Sequence, residues 1–208
     1  MRPTFSLLAI SDRRSLAPLS LDFTSWLGAL GAAGLGGITG VQIREKDLED
    51  GALYELTRRA RETLPPGTLL LVNGRLDVAL AAGADGAHLP ADGLPAAPLR
   101  ARFGPNVLLG RSTHSLEEVE RAREEGVDYV VFGPVYPTPG KGEPVGLEKL
   151  AEAARLEIPV YALGGVTLPR FGELAAAGAS GAAAIRLFQI RGNLEQVAAA
   201  AREHFCRK

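Results

Sequence analysis

The sequence predicts a closed (β/α)8 barrel folded as one domain over residues 1–208. Three observations carry that expectation. Short apolar runs recur along the chain, helix-like segments separate them, and several segments end in glycine directly before the next run. Most runs are continuously apolar rather than alternating, as strands covered on both faces are. An open doubly wound sheet is the structural alternative, disfavoured because no Gly-x-Gly-x-x-Gly follows the first run.

In chain order the expected strands are FSLLAI (5–10), ITGVQI (38–43), TLLLVN (68–73), GAHL (86–89), NVLLG (106–110), DYVVFG (128–133), IPVYALG (158–164) and SGAAAI (180–185). Stretches such as DLEDGALYELTRRARETL, LDVALAAG, SLEEVERAREEG and LEKLAEAARLE read as the helices between them. AGAD, EGVD and AGAS, ahead of strands four, six and eight, repeat one helix–turn–strand punctuation. No linker or shift in composition divides the chain.

Bulk composition narrows the function. Lys plus Arg (23) nearly balance Asp plus Glu (24), giving a net charge of −1. No overall field favours nucleic acid or an anionic membrane, so any anion site must be local and the expected partner is a small molecule. The single cysteine, Cys206, leaves no intrachain disulfide and no cysteine metal cluster, which fits a reducing compartment. The apolar run in MRPTFSLLAISDRR is too short for a signal peptide, and LGALGAAGLGGITGV is too short and glycine-rich for a membrane span. A cytoplasmic protein is expected.

In such a barrel the chemistry sits where strands end and loops lead into helices. After strand two, QIREKD offers Gln42, Arg44 and Lys46 at alternating positions, on one face if the strand continues. Two cations and an amide together suit a carboxylate or phosphate; the alternative is a solvated charge cluster. Asn73 ends strand three, as a ligand contact or a helix cap. His88, inside strand four, reads as a satisfied core residue before a ligand. The loop GPVYPTPGKGEPVG carries Thr138 and Lys141 and is either an anion clamp or a surface loop. Backbone N–H groups of Gly164, Gly165 and the turn at Ile185 and Arg186 could cradle a phosphate.

His114 is one of three histidines and the strongest catalytic candidate. Ser115 and Glu118 have the S-x-x-E spacing of a capping box, which starts a helix at Ser115. His114 then lies between strand five and that helix, flanked by the hydroxyls of Ser112 and Thr113. A positive helix terminus disfavours imidazolium and keeps a neutral ring available as a base.

Taken together, QIREKD, LVNGRLDVAL, DGAHL, LGRSTHSLEEVERAREEGVDYVVFGPVYPT, IPVYALGGV and AGASGAAA resemble the family shared by thiamine-phosphate synthase and thiazole tautomerase. The resemblance covers nearly the whole chain and implies a small (β/α)8 barrel and a homodimer. In the synthase, magnesium assists diphosphate departure, held by an aspartate after the strand-three asparagine and another five residues past the strand-four histidine. Those positions are Gly74 and Gly93 here, with Asp92 beside the second and Asp77 starting a helix. The synthase's T-x-T-K reads TPGK, so Gly140 replaces a threonine, and Arg186 stands where a serine is common.

VNGR and GRSxHSLEE look instead like thiazole tautomerase. The resemblance therefore implies a cofactor-free isomerase that aromatises a thiazole carboxylate phosphate, with His114 as acid–base catalyst, Arg44 holding the carboxylate, and no metal. The alternatives are thiamine-phosphate synthase, which would need Mg²⁺, and a catalytically silent regulatory barrel. Retained Gln42, Arg44, Lys46, Asn73, Ser112, Thr138 and Lys141 keep the synthase in view.

Overall fold

The computed structural model describes residues 5–16, 22–33, 39–189 and 193–206. Its strands are β1 (Leu7–Ile10), β2 (Thr39–Ile43), β3 (Leu70–Asn73), β4 (Gly86–Leu89), β5 (Leu108–Thr113), β6 (Tyr129–Phe132), β7 (Val160–Leu163) and β8 (Gly181–Ala184). All neighbours are parallel, in sequence order, and β8 returns to β1, with Ala9 opposite both Val41 and Ala184. The expected (β/α)8 barrel is what the chain forms. Ile38, the first residue expected in strand two, lies outside the described residues. No helix among the described residues is long and apolar enough to cross a membrane.

Helices α1 (Arg13–Leu16) and α2 (Phe23–Ala32) follow β1; α3 (Asp50–Thr63), α4 (Leu76–Ala81), α5 (Ala96–Phe103) and α6 (Leu116–Glu124) follow β2 to β5. After β6, β7 and β8 come α7 (Gly146–Ala154), α8 (Phe171–Ala176) and α9 (Leu194–His204). Their inward stripes meet the outward strand residues in one large apolar layer, including Val41, Ile43, Val72, Leu109, Val130, Phe132 and Val160. Each such side chain, taken fully out of water, contributes roughly 1.5–3 kcal/mol.

The strand residues between these face the barrel axis. Phe5, Leu8, Ile10, Leu71, Leu108, Tyr129, Val131, Tyr161 and Ala183 fill it as a separate cluster. Three rings pack together near its base, with centroids of Phe5–Tyr161 at 4.8 Å and of Phe5–Tyr129 and Tyr129–Tyr161 at 5.4 Å. Glycines make the room. A Cβ on Gly110 would lie 2.1 Å from Tyr129 Cζ, and one on Gly181 would lie 2.7 Å from Tyr161 Cε1. Large rings thus pair with empty positions on facing strands.

Strand five departs from expectation: it runs three residues past Gly110. Ser112 and Thr113 still pair with Val131 and Phe132. Of its polar tail Ser112 faces the mouth while Arg111 and Thr113 are buried, and this run of polar residues is why it reads as loop by composition. The helix start at Ser115 holds, with its Oγ accepting from Glu118 N–H at 3.3 Å. The return bond shifts by one residue: the Glu118 carboxylate accepts from the N–H of His114, at 2.7 Å, instead of that of Ser115.

Candidate active site

The axis-facing alternation continues past the hydrophobic plug and turns polar. On β2 it gives Gln42, on β3 Asn73, on β4 His88 and on β5 Ser112, all at the C-terminal ends of their strands. Gln42 is buried and donates from Nε2 to Asn73 Oδ1 at 3.0 Å. Its own Oε1 is buried without a partner among the described residues. Such an orphan acceptor costs free energy unless a ligand N–H meets it. Asn73 is not a cap, because Arg75 occupies the N-cap position of α4.

Arg44, partly buried one step above Gln42, makes no ion pair among the described residues. Its backbone is held firmly. The N–H of Arg44 donates to Ser11 Oγ at 2.9 Å, and that hydroxyl donates to Glu45 Oε1 at 2.6 Å. Glu45 is buried, also accepts from the N–H of Arg13 at 3.1–3.2 Å, and ties the β1 loop to the end of β2. Desolvation raises the Glu45 pKa despite the Ser11 and Arg13 bonds, which pull the other way.

Lys46 lies beyond the strand whose alternation would set its face. The strand ends at Ile43, residues 46 and 47 form a turn, and the exposed Lys46 borders a shallow recess with Glu45, Asn73 and Arg75. The strand does not continue far enough for alternation to place Lys46 with Gln42 and Arg44.

His88 bridges core and mouth. Its Nδ1 lies 3.0 Å from Tyr129 Oη and its Nε2 2.9 Å from Ser112 Oγ. Burial first, then the charges of Arg111 and Arg44, push its pKa down to about 3, so the ring is neutral. It is a satisfied core residue with one polar end at the site.

His114 is exposed at the rim, directly after β5. Its Nδ1–H donates to the Gly133 carbonyl at 2.5 Å, leaving Nε2 as an acceptor with no partner among the described residues. The loop after β6 lies over the end of β7. Thr138 donates to Tyr136 O at 2.8 Å, and its Oγ1 would be 3.1 Å from a Cβ on Gly164. The loop base is pinned by Arg170, stacked 3.9 Å over the Tyr136 ring, and by Tyr136 Oη donating to Glu173 at 2.7 Å. Lys141 is exposed in the loop, its N–H donating to Thr138 O at 3.1 Å.

Gly164 and Gly165 have φ of +94° and +62°, and Ile185 precedes a 3₁₀ turn at Arg186–Phe188. The N–H groups of Gly164, Gly165, Ile185 and Arg186 meet no acceptor among the described residues. The register of β7 on β8, Leu163 opposite Ala183, brings the two turns side by side. Free N–H groups beside an exposed Arg186 make a cradle suited to phosphate.

The residues do not fit a resident magnesium ion. Gly74 and Gly93 offer no oxygen side chain, Asp92 is exposed, and Asp77 is turned onto Arg75 at 2.7 Å. Among the described residues no three His, Cys, Asp or Glu side chains converge on a metal position. Hard divalent cations need several oxygen ligands together.

Sequence reading missed Ser11, Glu45, Tyr129 and Arg111. Arg111 is a buried cation on the outward face of β5; it donates to Leu94 O and, at 3.4 Å, to Ala91 O, holding the loop after β4. Glu45, two residues past the end of β2, and Arg111, one past the expected end of strand five, lie outside the apolar runs and left no strand signal.

Comparison with known proteins favours one of the family's reactions over the other. The chain is 45% identical over 171 residues to the thiamine-phosphate synthase of Anaeromyxobacter dehalogenans, covering 80% of this chain and 76% of the relative. It is 40% identical over 178 residues to that of Chlorobium luteolum, covering 82% of each. The solved thiamine phosphate pyrophosphorylase from Pyrococcus furiosus superposes with a TM-score of 0.82 at 32% identity, over 96% of both chains. These relatives overturn the expected isomerase and its thiazole tautomerase assignment in favour of the transferase.

The physical reason for the error lies in the glycines. Gly74 (φ +70°) and Gly140 (φ +74°) sit in left-handed turns, and a Cβ on Gly93 would meet Pro90 at 3.0 Å. They answer to loop geometry as much as to lost ligands, so they discriminate poorly between reactions. Residues 8–188 match the family described as thiamine monophosphate synthase, TMP-TENI, and the chain belongs to that family.

Proposed function

We propose that this chain is a thiamine-phosphate synthase, joining a pyrimidine methyl diphosphate to a thiazole phosphate. The observation that carries the reading is Gln42 Oε1, buried at the mouth and without a partner among the described residues, two positions before the partly buried Arg44. An orphan acceptor suits the N–H of an aminopyrimidine, whereas a thiazole carboxylate has no such donor. The 40–45% identical relatives named for the synthase support the same choice.

In the transfer, the bond from the pyrimidine methylene to the diphosphate oxygen breaks, and the electron pair leaves with the diphosphate. The methylene carbon bonds to the thiazole ring nitrogen. No C–H proton is removed. The protein's work is to orient two rings and to stabilise charge on the leaving oxygens. Gln42 and Asn73 orient the pyrimidine, Arg44 and Ser112 face the diphosphate, and Lys46 and Lys141 add positive charge from the rim. Thr138 helps keep the β6 loop seated over β7. The N–H groups of Gly164, Gly165, Ile185 and Arg186 hold the thiazole phosphate. Each well-placed donor at a developing oxyanion accounts for roughly 10²–10³ in rate.

Magnesium supports diphosphate departure in the synthases this chain resembles, but Gly74 and Gly93 offer no side-chain ligand for it, and no step of the transfer passes through a metal. The single cysteine supports a cytoplasmic setting for the enzyme. The reading is tested by product analysis: both substrates together must yield thiamine phosphate and diphosphate in equal amounts. Turnover of neither substrate would refute it.

A further inference from the structure

His88 and Tyr129 take no direct part in the transfer proposed above, yet both are polar, buried and linked to Ser112. Their hydrogens can be assigned by accounting. A neutral imidazole has one N–H and one bare nitrogen. The His88 ring is neutral, because burial and the nearby arginines hold its pKa at about 3. Tyr129 keeps its proton, since desolvation raises its pKa well above 10.0.

Two arrangements remain. If Nδ1 carried the proton, it would donate to Tyr129 Oη, and the buried tyrosine proton would have no acceptor among the described residues. Leaving a buried donor unspent is the costlier choice. In the other arrangement Tyr129 donates to Nδ1, and Nε2–H donates to Ser112 Oγ at 2.9 Å. Every buried hydrogen is then used. Ser112 receives a bond from below, and its own hydroxyl proton has no acceptor among the described residues, which leaves it for the barrel mouth.

We infer that Tyr129 and His88 form a directed hydrogen-bond relay that makes Ser112 a dedicated donor to an anionic oxygen of the substrate. Gly110 is part of the device, because its missing Cβ leaves the space in which Tyr129 reaches His88. The polarity matters for specificity: a Ser112 that donates favours phosphate or diphosphate oxygens over N–H groups. Tyr129 and His88 are positioning residues, acting only through Ser112. The identity of that oxygen as part of the diphosphate rests on the transferase reading; the direction of the relay does not.

The relay is tested first without substrate. With only three histidines in the chain, ¹⁵N NMR of histidine-labelled protein can resolve His88. The expected signature is Nε2–H with a bare Nδ1, unchanged from pH 5 to 9. An Nδ1–H signature would overturn the inference, and this measurement needs no variant to fold. Kinetics then test the use of the relay. Ser112→Ala is expected to lower kcat about 100-fold, and Tyr129→Phe about 10-fold with KM for the diphosphate substrate within 2-fold. In the double variant, Tyr129→Phe should add nothing to Ser112→Ala. Losses that multiply would show Tyr129 acting by another route and overturn the relay. An Nε2–H signature in a protein with no transferase turnover would support the relay and sink the transferase reading, so the two failures are distinguishable.

Discussion

His114 donates its Nδ1–H to the carbonyl oxygen of Gly133 at the start of the β6 loop, at 2.5 Å. That bond fixes the ring's tautomer and ties the end of β5 to the adjacent loop. In a proton-shifting isomerase the free Nε2 would be the essential base. In the transferase no C–H proton moves, so the same nitrogen is only a rim acceptor. Loss of a true general base costs about 10²–10⁴ in rate. His114→Ala is therefore expected to keep kcat for thiamine phosphate formation within about 10-fold of the parent, measured at saturating substrates.

The glycines that replace metal-holding aspartates give a second test. Substrate-free protein should show no rise in Tm in millimolar Mg²⁺. A site saturated at 100 times its Kd would add about 2.7 kcal/mol, a shift of several degrees. Gly74→Asp must accept φ of +70°, a cost of about 1 kcal/mol. Gly93→Asp places a Cβ 3.0 Å from Pro90 Cδ and 3.1 Å from Pro90 O, so the loop has to shift. The double variant should gain a Mg²⁺-dependent rise in Tm that the parent lacks. If it does not, loop geometry and not ligand identity keeps the ion out.

Glu45 makes stability depend on pH in a definite direction. Its pKa is raised in the folded state, chiefly by desolvation, from the ordinary value of 4.5. The unfolded chain therefore gives up this proton at lower pH than the folded one does. Glu45's contribution is fully present below pH 4.5 and is lost as pH rises through the raised value. Glu45→Gln removes the titration. Urea unfolding of parent and variant should give a stability difference that favours the parent more at pH 4 than at pH 8. An equal difference at both values would show that Glu45 is not desolvated as the fold implies. The variant should also raise KM for the diphosphate substrate, because Ser11 holds the Arg44 backbone through this carboxylate.

The phosphate cradle predicts a separable effect on the second substrate. Arg186→Gln should raise KM for the thiazole phosphate about 3- to 10-fold and leave KM for the diphosphate substrate within 2-fold. Gly164→Ala should be far worse, since its Cβ would lie 2.5 Å from Pro134 Cβ at a φ of +94°. Equal effects of Arg186→Gln on both substrates would remove the thiazole phosphate from this turn.

Much of this architecture is legible in the chain because parallel strands covered on both faces must be apolar. GAHL is found at its exact bounds, and the other seven strands within three residues at either end. The polar tail of β5 is the largest miss, since a site-lining strand end loses the apolar signal. Gln42, Arg44 and Asn73 are readable by strand-end position and alternation, whereas Ser112 stands out only as a hydroxyl beside His114. Lys46 is not placed by alternation, because the strand stops at Ile43 and alternation says nothing about where a strand stops. His88 and Tyr129 meet across 41 residues, a pairing that only the barrel's closure creates. The choice of reaction is least legible, because a glycine looks the same whether it marks a lost ligand or a left-handed turn.

The most direct test of the central claim is a single assay of the purified chain. Pyrimidine methyl diphosphate and thiazole phosphate are supplied together in magnesium-containing buffer, and products are separated and counted. The transferase reading predicts thiamine phosphate and diphosphate in a 1:1 ratio, with neither formed when one substrate is left out. Aromatisation of a dihydrothiazole carboxylate phosphate, with no thiamine phosphate from the substrate pair, would contradict it.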